Sequence, residues 1–152
     1  MMPVDNAVFF RIDTTNGIAC LTGACGEAVA STLLAAHDKG TFDLLGFVVL
    51  PNELQLLIIP HGKPISDLLN ALEGELSATA SALPLPEISG KTVFDTDFYR
   101  EKCDSSEEVR QRLRWMHDAP VRSRLATMSK AFPLSSANEK YRSKLILSQT
   151  IM

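Results

Sequence analysis

Arg110, Arg114 and His117 recur at i, i+4 and i+7 within a stretch of helical periodicity, which places three cationic side chains on one helix face. Arg122 and Arg124 follow in the next turn, with Lys130, Lys140, Arg142 and Lys144 beyond. Such a face suits an anionic ligand, or it neutralises an acidic part of the same molecule. Nucleophiles are few: two tyrosines, Tyr99 and Tyr141, and three cysteines, Cys20, Cys25 and Cys103. Four residues separate Cys20 from Cys25, and no second Cys or His pair stands at zinc-finger spacing, so the thiols read as free in a reducing compartment. His37 falls near a helix end, where a cation meets the C-terminal dipole, and His61 falls in a loop; their separation supports no metal pair. No Walker loop, Gly-rich dinucleotide turn or Gly-x-Ser-x-Gly elbow is present, which removes the commonest enzyme classes.

The chain has 152 residues, 45% hydrophobic and 22% charged, as expected of one globular domain with a real core. It reads as a single domain over 1–152, with 121–152 a basic C-terminal extension. A net charge of −3 argues against a uniformly basic nucleic-acid binder. The average hides a split, because only four of the 15 cations (Arg11, Lys39, Lys63 and Lys91) precede residue 98, together with 12 of the 18 acids. The first part is therefore net −8 and the second net +5. Met1 to Asp5 carries no basic leader, and no apolar run approaches the ~18–20 residues of a membrane span, so a cytoplasmic protein without membrane association is expected.

These residues need elements to position them. Ala7 to Asp13 is a β-type run closed by Thr14-Thr15-Asn16-Gly17, with a further apolar stretch from Ile18 to Leu21. Gly26 to Lys39 has helical spacing at Val29, Leu33 and Ala36, and Gly40 stands where a helix C′ residue belongs. Phe42 to Leu50 and Glu53 to Ile59 are strands joined by Pro51-Asn52. Alternation puts Glu53, Gln55 and Leu57 on one face and Leu54, Leu56 and Ile58 on the other, the apolar set being the buried one and the polar set an exposed face. A second helix starts at Ile65, fades from Ser77 to Ala82 and is stopped by Leu83-Pro84-Leu85-Pro86. Thr92 to Cys103 reads as the last strand. Ser105-Ser106-Glu107-Glu108 then supplies an N-cap and acidic first turn for a helix through His117, with Val109, Leu113 and Met116 as its core stripe. Beyond Pro120, loops and a short terminal helix are expected. The order β-α-β-β-α-β plus a helix predicts an α+β, ferredoxin-like antiparallel sheet with helices on one face and a further C-terminal helix.

Three collinear stretches resemble the REP-associated tyrosine transposases, within the single-tyrosine HUH class. Leu44 to Leu57, LLGFVVLPNELQLL, is similar to "a-Y-V-(M/L)-P-N-H-(V/F)-H-L-L"; Asp97 to Cys103, DFYREKC, is similar to a "GFYD" strand. Ser106 to Leu125, SEEVRQRLRWMHDAPVRSRL, resembles "(D/E)-E-x-L-x-x-x-L-R-Y-I-H-x-N-P-V-R-A-G-L", and Pro133 to Ala137, PLSSA, resembles "YPWSSA".

The resemblance implies DNA transposition ancestry and recognition of hairpin or single-stranded DNA through phosphate contacts from Arg110, Arg114, His117, Arg122 and Arg124. In the family two strand histidines bind a divalent cation and a helix tyrosine attacks the phosphorus. Here the histidine positions are Glu53 and Gln55, and the tyrosine position is Trp115, an indole without a nucleophilic oxygen. Glu is a competent ligand for Mg²⁺ or Mn²⁺ and a Gln carbonyl a weak one, so a metal there needs a third group. Tyr99 matches the family's strand tyrosine and Tyr141 lies beyond the shared motifs; either serves as a catalytic nucleophile only in a rearranged site, and otherwise Tyr99 is an amphipathic sheet residue and Tyr141 a surface aromatic. The expectation is a pseudoenzyme that keeps DNA binding without a cofactor and without cleavage; Trp115 either packs against its neighbours, as a lone tryptophan more often does, or stacks on an unpaired base. The competing expectation is an interaction protein without nucleic acid, a homodimer through the ferredoxin-like sheet.

Overall fold

A computed structural model describes residues 6–80, 93–95 and 97–145. Strand β1 (Ala7–Asp13) pairs antiparallel with both β3 (Glu53–Pro60) and β4 (Tyr99–Cys103), and β2 (Phe42–Leu50) closes the other side of β3. The four strands run in the order β2-β3-β1-β4, the ferredoxin-like arrangement. Pro51 and Asn52 make the expected tight connection, with Leu50 paired to Glu53. Strand β4 is shorter than the run from Thr92 suggested, because Phe94 makes only an isolated bridge to Thr14.

Helices α1 (Gly23–Asp38) and α2 (Ile65–Ala80) cover one face of the sheet. Val8, Phe10 and Ile12 of β1 and Leu54, Leu56 and Ile58 of β3 point into that layer and meet Val29, Leu33 and Leu72. Gly40, at φ +77°, ends α1 in the left-handed conformation that glycine adopts without strain. His37 works differently from the expected helix-end cation: its Nδ1 accepts the Leu44 N–H at 3.0 Å and ties α1 to β2. The expected proline stop at 83–86 lies outside the described residues.

The opposite face is where expectation and structure part. Helix α3 (Ser106–His117) lies across it, with Val109, Leu113 and Met116 packed on Ala7, Phe9, Val48 and Leu57. Helices therefore cover both faces of the sheet. The polar alternation of β3 does not face water, since Gln55 is 2% exposed and Leu57 0%. Coverage on both sides also explains why β2 is an almost unbroken apolar run. Helix α3 begins as its sequence dictates: Ser105 Oγ accepts the Glu108 N–H at 3.1 Å, and the Glu108 carboxylate accepts the Asp104 N–H at 2.8 Å.

The extension after α3 is more integrated than its composition suggested. After α4 (Ala119–Arg122), the chain returns along the outer edge of β2, where Val49 N–H donates to Leu134 O at 2.8 Å and Ser136 N–H to Phe47 O at 2.9 Å. Leu134, Ala137 and Leu145 are buried there, and helix α5 (Glu139–Arg142) carries Tyr141. Tyr141 is a core residue and not a surface aromatic: it is 3% exposed, and its ring meets Phe47 edge-on at 5.1 Å. No helix among the described residues is long and apolar enough to cross a membrane.

Candidate nucleic-acid interface

Burying Val109, Leu113 and Met116 forces the other sides of α3 outward. Arg114 is exposed and Arg110 half-buried, and α4 with its following turn adds exposed Arg122 and Arg124. Among the described residues, none of these four guanidiniums has a carboxylate within ion-pairing distance, whereas Arg11, Arg112, Lys102 and Lys140 each do. Arg124 sits at φ +61°, in a turn closed by the Leu125 N–H on Pro120 O at 2.8 Å. Glycine is the residue that fits such a position, and glycine is what the resembling motif has there.

His117 is the residue that leaves the cationic set. It is 2% exposed, and its Nε2 lies 2.7 Å from Ser136 Oγ, which in turn receives the Phe47 N–H at 3.0 Å. Its Nδ1 is buried without a partner. Burial pushes the imidazole pKa down to about 4, so the ring is neutral at physiological pH and reaches no phosphate. Spacing alone had two readings: His117 is i+7 from Arg110, and it is also i+4 from Leu113 in the core stripe. The segment carrying Ser136 decides between them by covering it.

Trp115 is 39% exposed and meets buried Phe9 edge-on at 5.9 Å. Arg122 lies 4.2 Å and Arg112 5.1 Å from the indole centroid. Arg112 also sits 4.5 Å over Phe9 and donates to Glu101 at 2.6 Å. Tyr99, 46% exposed, meets the same Phe9 at 6.1 Å and donates its hydroxyl to Glu101. Arg112 and Glu101 are residues the sequence did not single out. Arg112 precedes Trp115 by three and so shares its side of the helix, but Glu101 is brought to it only by the β1–β4 pairing, opposite Phe9. A cleft of about 280 Å³ opens beside this cluster, lined by Glu101, Cys103, Glu108, Gln111, Arg112 and Trp115.

Comparison with known structures bears on what this surface belongs to. A REP-associated tyrosine transposase bound to a REP hairpin superposes with a TM-score of 0.69 at 14% identity, over 95% of this chain and 85% of that one. A protein of Deinococcus radiodurans R1 assigned as a transposase gives 0.51 at 16% identity, over 78% and 92%. The chain has a transposase-like fold. No family model matches the sequence, and no curated protein does.

A transposase-like fold brings a nucleophile and a metal into question. Trp115 stands on α3 with no oxygen to attack phosphorus. Hydrogen bonding to the Glu101 carboxylate raises the Tyr99 pKa, which holds that phenol as a proton donor and disfavours the phenolate a nucleophile requires. Glu53 and Gln55 do share the α3 face of the sheet, but as donors they do not fit a divalent cation. Gln55 turns its Nε2–H group to Glu53 Oε2 at 2.5 Å, and Arg11 Nε approaches the other carboxylate oxygen at 3.9 Å. The carboxylate is thus engaged by donors, and Arg11 supplies the positive charge at this point. Only Gln55 Oε1, buried and without a partner, is left as a weak ligand. Among the described residues no group of three or more His, Cys, Asp or Glu could hold a metal ion.

Proposed function

We propose that this protein is a catalytically inactive, transposase-like DNA-binding protein of the cytoplasm, recognising hairpin or single-stranded DNA through the surface of α3 and α4. The observation that carries the reading is the set Arg110, Arg114, Arg122 and Arg124, four guanidiniums without a carboxylate partner among the described residues, on the basic part of an otherwise acidic molecule. Guanidiniums left unpaired in this way are available to phosphate oxygens, which match their planar fork. The solved structure with this fold and a REP hairpin bound lends the reading its ligand. Arg124 adds support, because an arginine stands at a local cost in a left-handed turn that favours glycine.

The protein should retard labelled hairpin and single-stranded DNA at low salt, and the band shift should weaken as salt rises. Incubation of the same DNA with Mn²⁺ should yield neither cleaved strand nor covalent protein–DNA adduct. An adduct would overturn the inactive assignment, and absence of any shift at low salt would overturn DNA binding.

A second reading, a protein contact or homodimer, rests on exposed Val121, Leu125 and Met128 next to the basic turn. A sheet-edge dimer is less favoured. The edge of β2 is occupied by 134–136 of the same chain, and β4 presents Arg100 and Lys102. Sedimentation across a concentration series separates a monomer from this alternative.

A further inference from the structure

We propose that Tyr99 and Trp115 form a stacking platform for two unpaired bases of a DNA strand, on the side of the sheet that α3 covers. The proposal rests on the DNA-binding reading above and adds which form of DNA is bound and how. Both aromatic rings are substantially exposed, and both lean on one buried ring, Phe9, at 6.1 and 5.9 Å. Arg112 locks them together. Its guanidinium lies over Phe9 and beside Trp115, and it holds Glu101, which in turn accepts the Tyr99 hydroxyl. Rings fixed in advance lose little conformational entropy when a flat ligand lands on them.

The charges around the platform assign an orientation to the strand. The cleft beside Trp115 is lined by the carboxylates of Glu101 and Glu108, the Gln111 amide, Cys103 and the Arg112 guanidinium; Glu101 is paired with Arg112, so Glu108 leaves the cleft an excess of negative charge. Carboxylates repel phosphate and accept hydrogen bonds from base amino groups, so bases point toward the cleft. Phosphates are directed instead to Arg122, beside the indole. Arg122 now rests 4.2 Å from the indole centroid without a carboxylate partner among the described residues. When a base takes its place on the indole, the guanidinium is free to move to the adjoining phosphate. That exchanges a cation–π contact for stacking plus a charge-assisted hydrogen bond. A duplex cannot use the platform, because its base faces are hidden in the helix stack.

Trp115 is the chain's single tryptophan, so its emission reports directly on the site. Titration with a single-stranded oligonucleotide should quench that emission, whereas a duplex of the same sequence should leave it unchanged. Binding itself is followed independently by the polarisation of labelled DNA. By polarisation, Trp115→Ala and Tyr99→Ala should each weaken single-strand binding by roughly 5- to 150-fold, the range for one stacked base. Duplex binding should be unchanged in both variants. Tyr99→Phe, which keeps the ring and loses the hydroxyl, should retain most of the affinity. Single strand and duplex bound alike with unquenched tryptophan would overturn the platform while leaving the basic-surface reading intact. Loss of affinity in Tyr99→Phe equal to that in Tyr99→Ala would also overturn it. No polarisation change with any DNA would overturn both readings.

Discussion

Arg124 occupies a backbone conformation, φ +61°, that costs a non-glycine residue about 1 kcal/mol relative to glycine. Its guanidinium has no carboxylate partner among the described residues to offset that cost. Arg124→Gly should therefore raise the urea midpoint, by about 1 kcal/mol in stability, while weakening DNA binding several-fold; stabilisation with unchanged affinity would deny Arg124 a place in the interface. His117 carries the opposite signature, a core role with a pH dependence. Unfolded, it takes up a proton near its ordinary pKa of about 6.5, whereas folded it resists protonation down to about 4. Between those values the unfolded chain binds more protons, so stability is fully present above the upper value and is lost as pH falls toward the lower one. The effect amounts to roughly 3 kcal/mol at most. His117→Gln should flatten that part of the stability–pH curve measured by denaturation. At this scale the exposed arginines were legible from residue type and spacing. His117 was not, because the segment that buries it lies 19 residues away in sequence. Nor was the Arg112–Glu101 pair, which needs the β1–β4 register to exist.

Helix α3 is the element that turns a ferredoxin-like sheet into a platform, and Gly46 allows its close approach. A Cβ at Gly46 would collide with Leu113 Cδ1 and stand 3.3 Å from Ser136 Oγ. Gly46→Ala should cost about 1–3 kcal/mol through this overpacking. Gly74→Ala is the control: a Cβ in the middle of α2 meets nothing within 4 Å, and the change should stabilise by about 1 kcal/mol. Thermal denaturation of both variants checks the contrast. The existence of the elements was readable from periodicity, turn residues and the Ser105 cap. What covered the second face of the sheet was not, since alternation in β3 reports which side chains share a face and is silent on what packs there. Gln55 is polar by type and buried by α3.

Over the whole molecule, the net charge of −3 conceals a fold body of −8 and a C-terminal part of +5. The structure gathers part of that excess, Arg110, Arg114, Arg122 and Arg124, on α3, α4 and the turn after α4, and it draws His117 out of the set. The C-terminal extension does two things at once: residues 134–136 cover the β2 edge, and α4 with its turn displays the arginines. The collinear motifs made this architecture legible. The positions where the resembling motifs carry histidines and a tyrosine, by contrast, hold Glu53, Gln55 and Trp115, engaged by Arg11, by each other and by Arg122. The central claim is that the α3–α4 surface binds the phosphate backbone of DNA. The most direct test is the salt dependence of hairpin-DNA affinity for the native chain and for Arg110→Ala/Arg114→Ala. Log affinity should fall linearly with log salt, with a slope reduced by about one for each phosphate contact removed, and the double variant should bind more weakly at low salt. Equal affinity and equal slope in the two proteins, or no binding by the native chain at low salt, would contradict it.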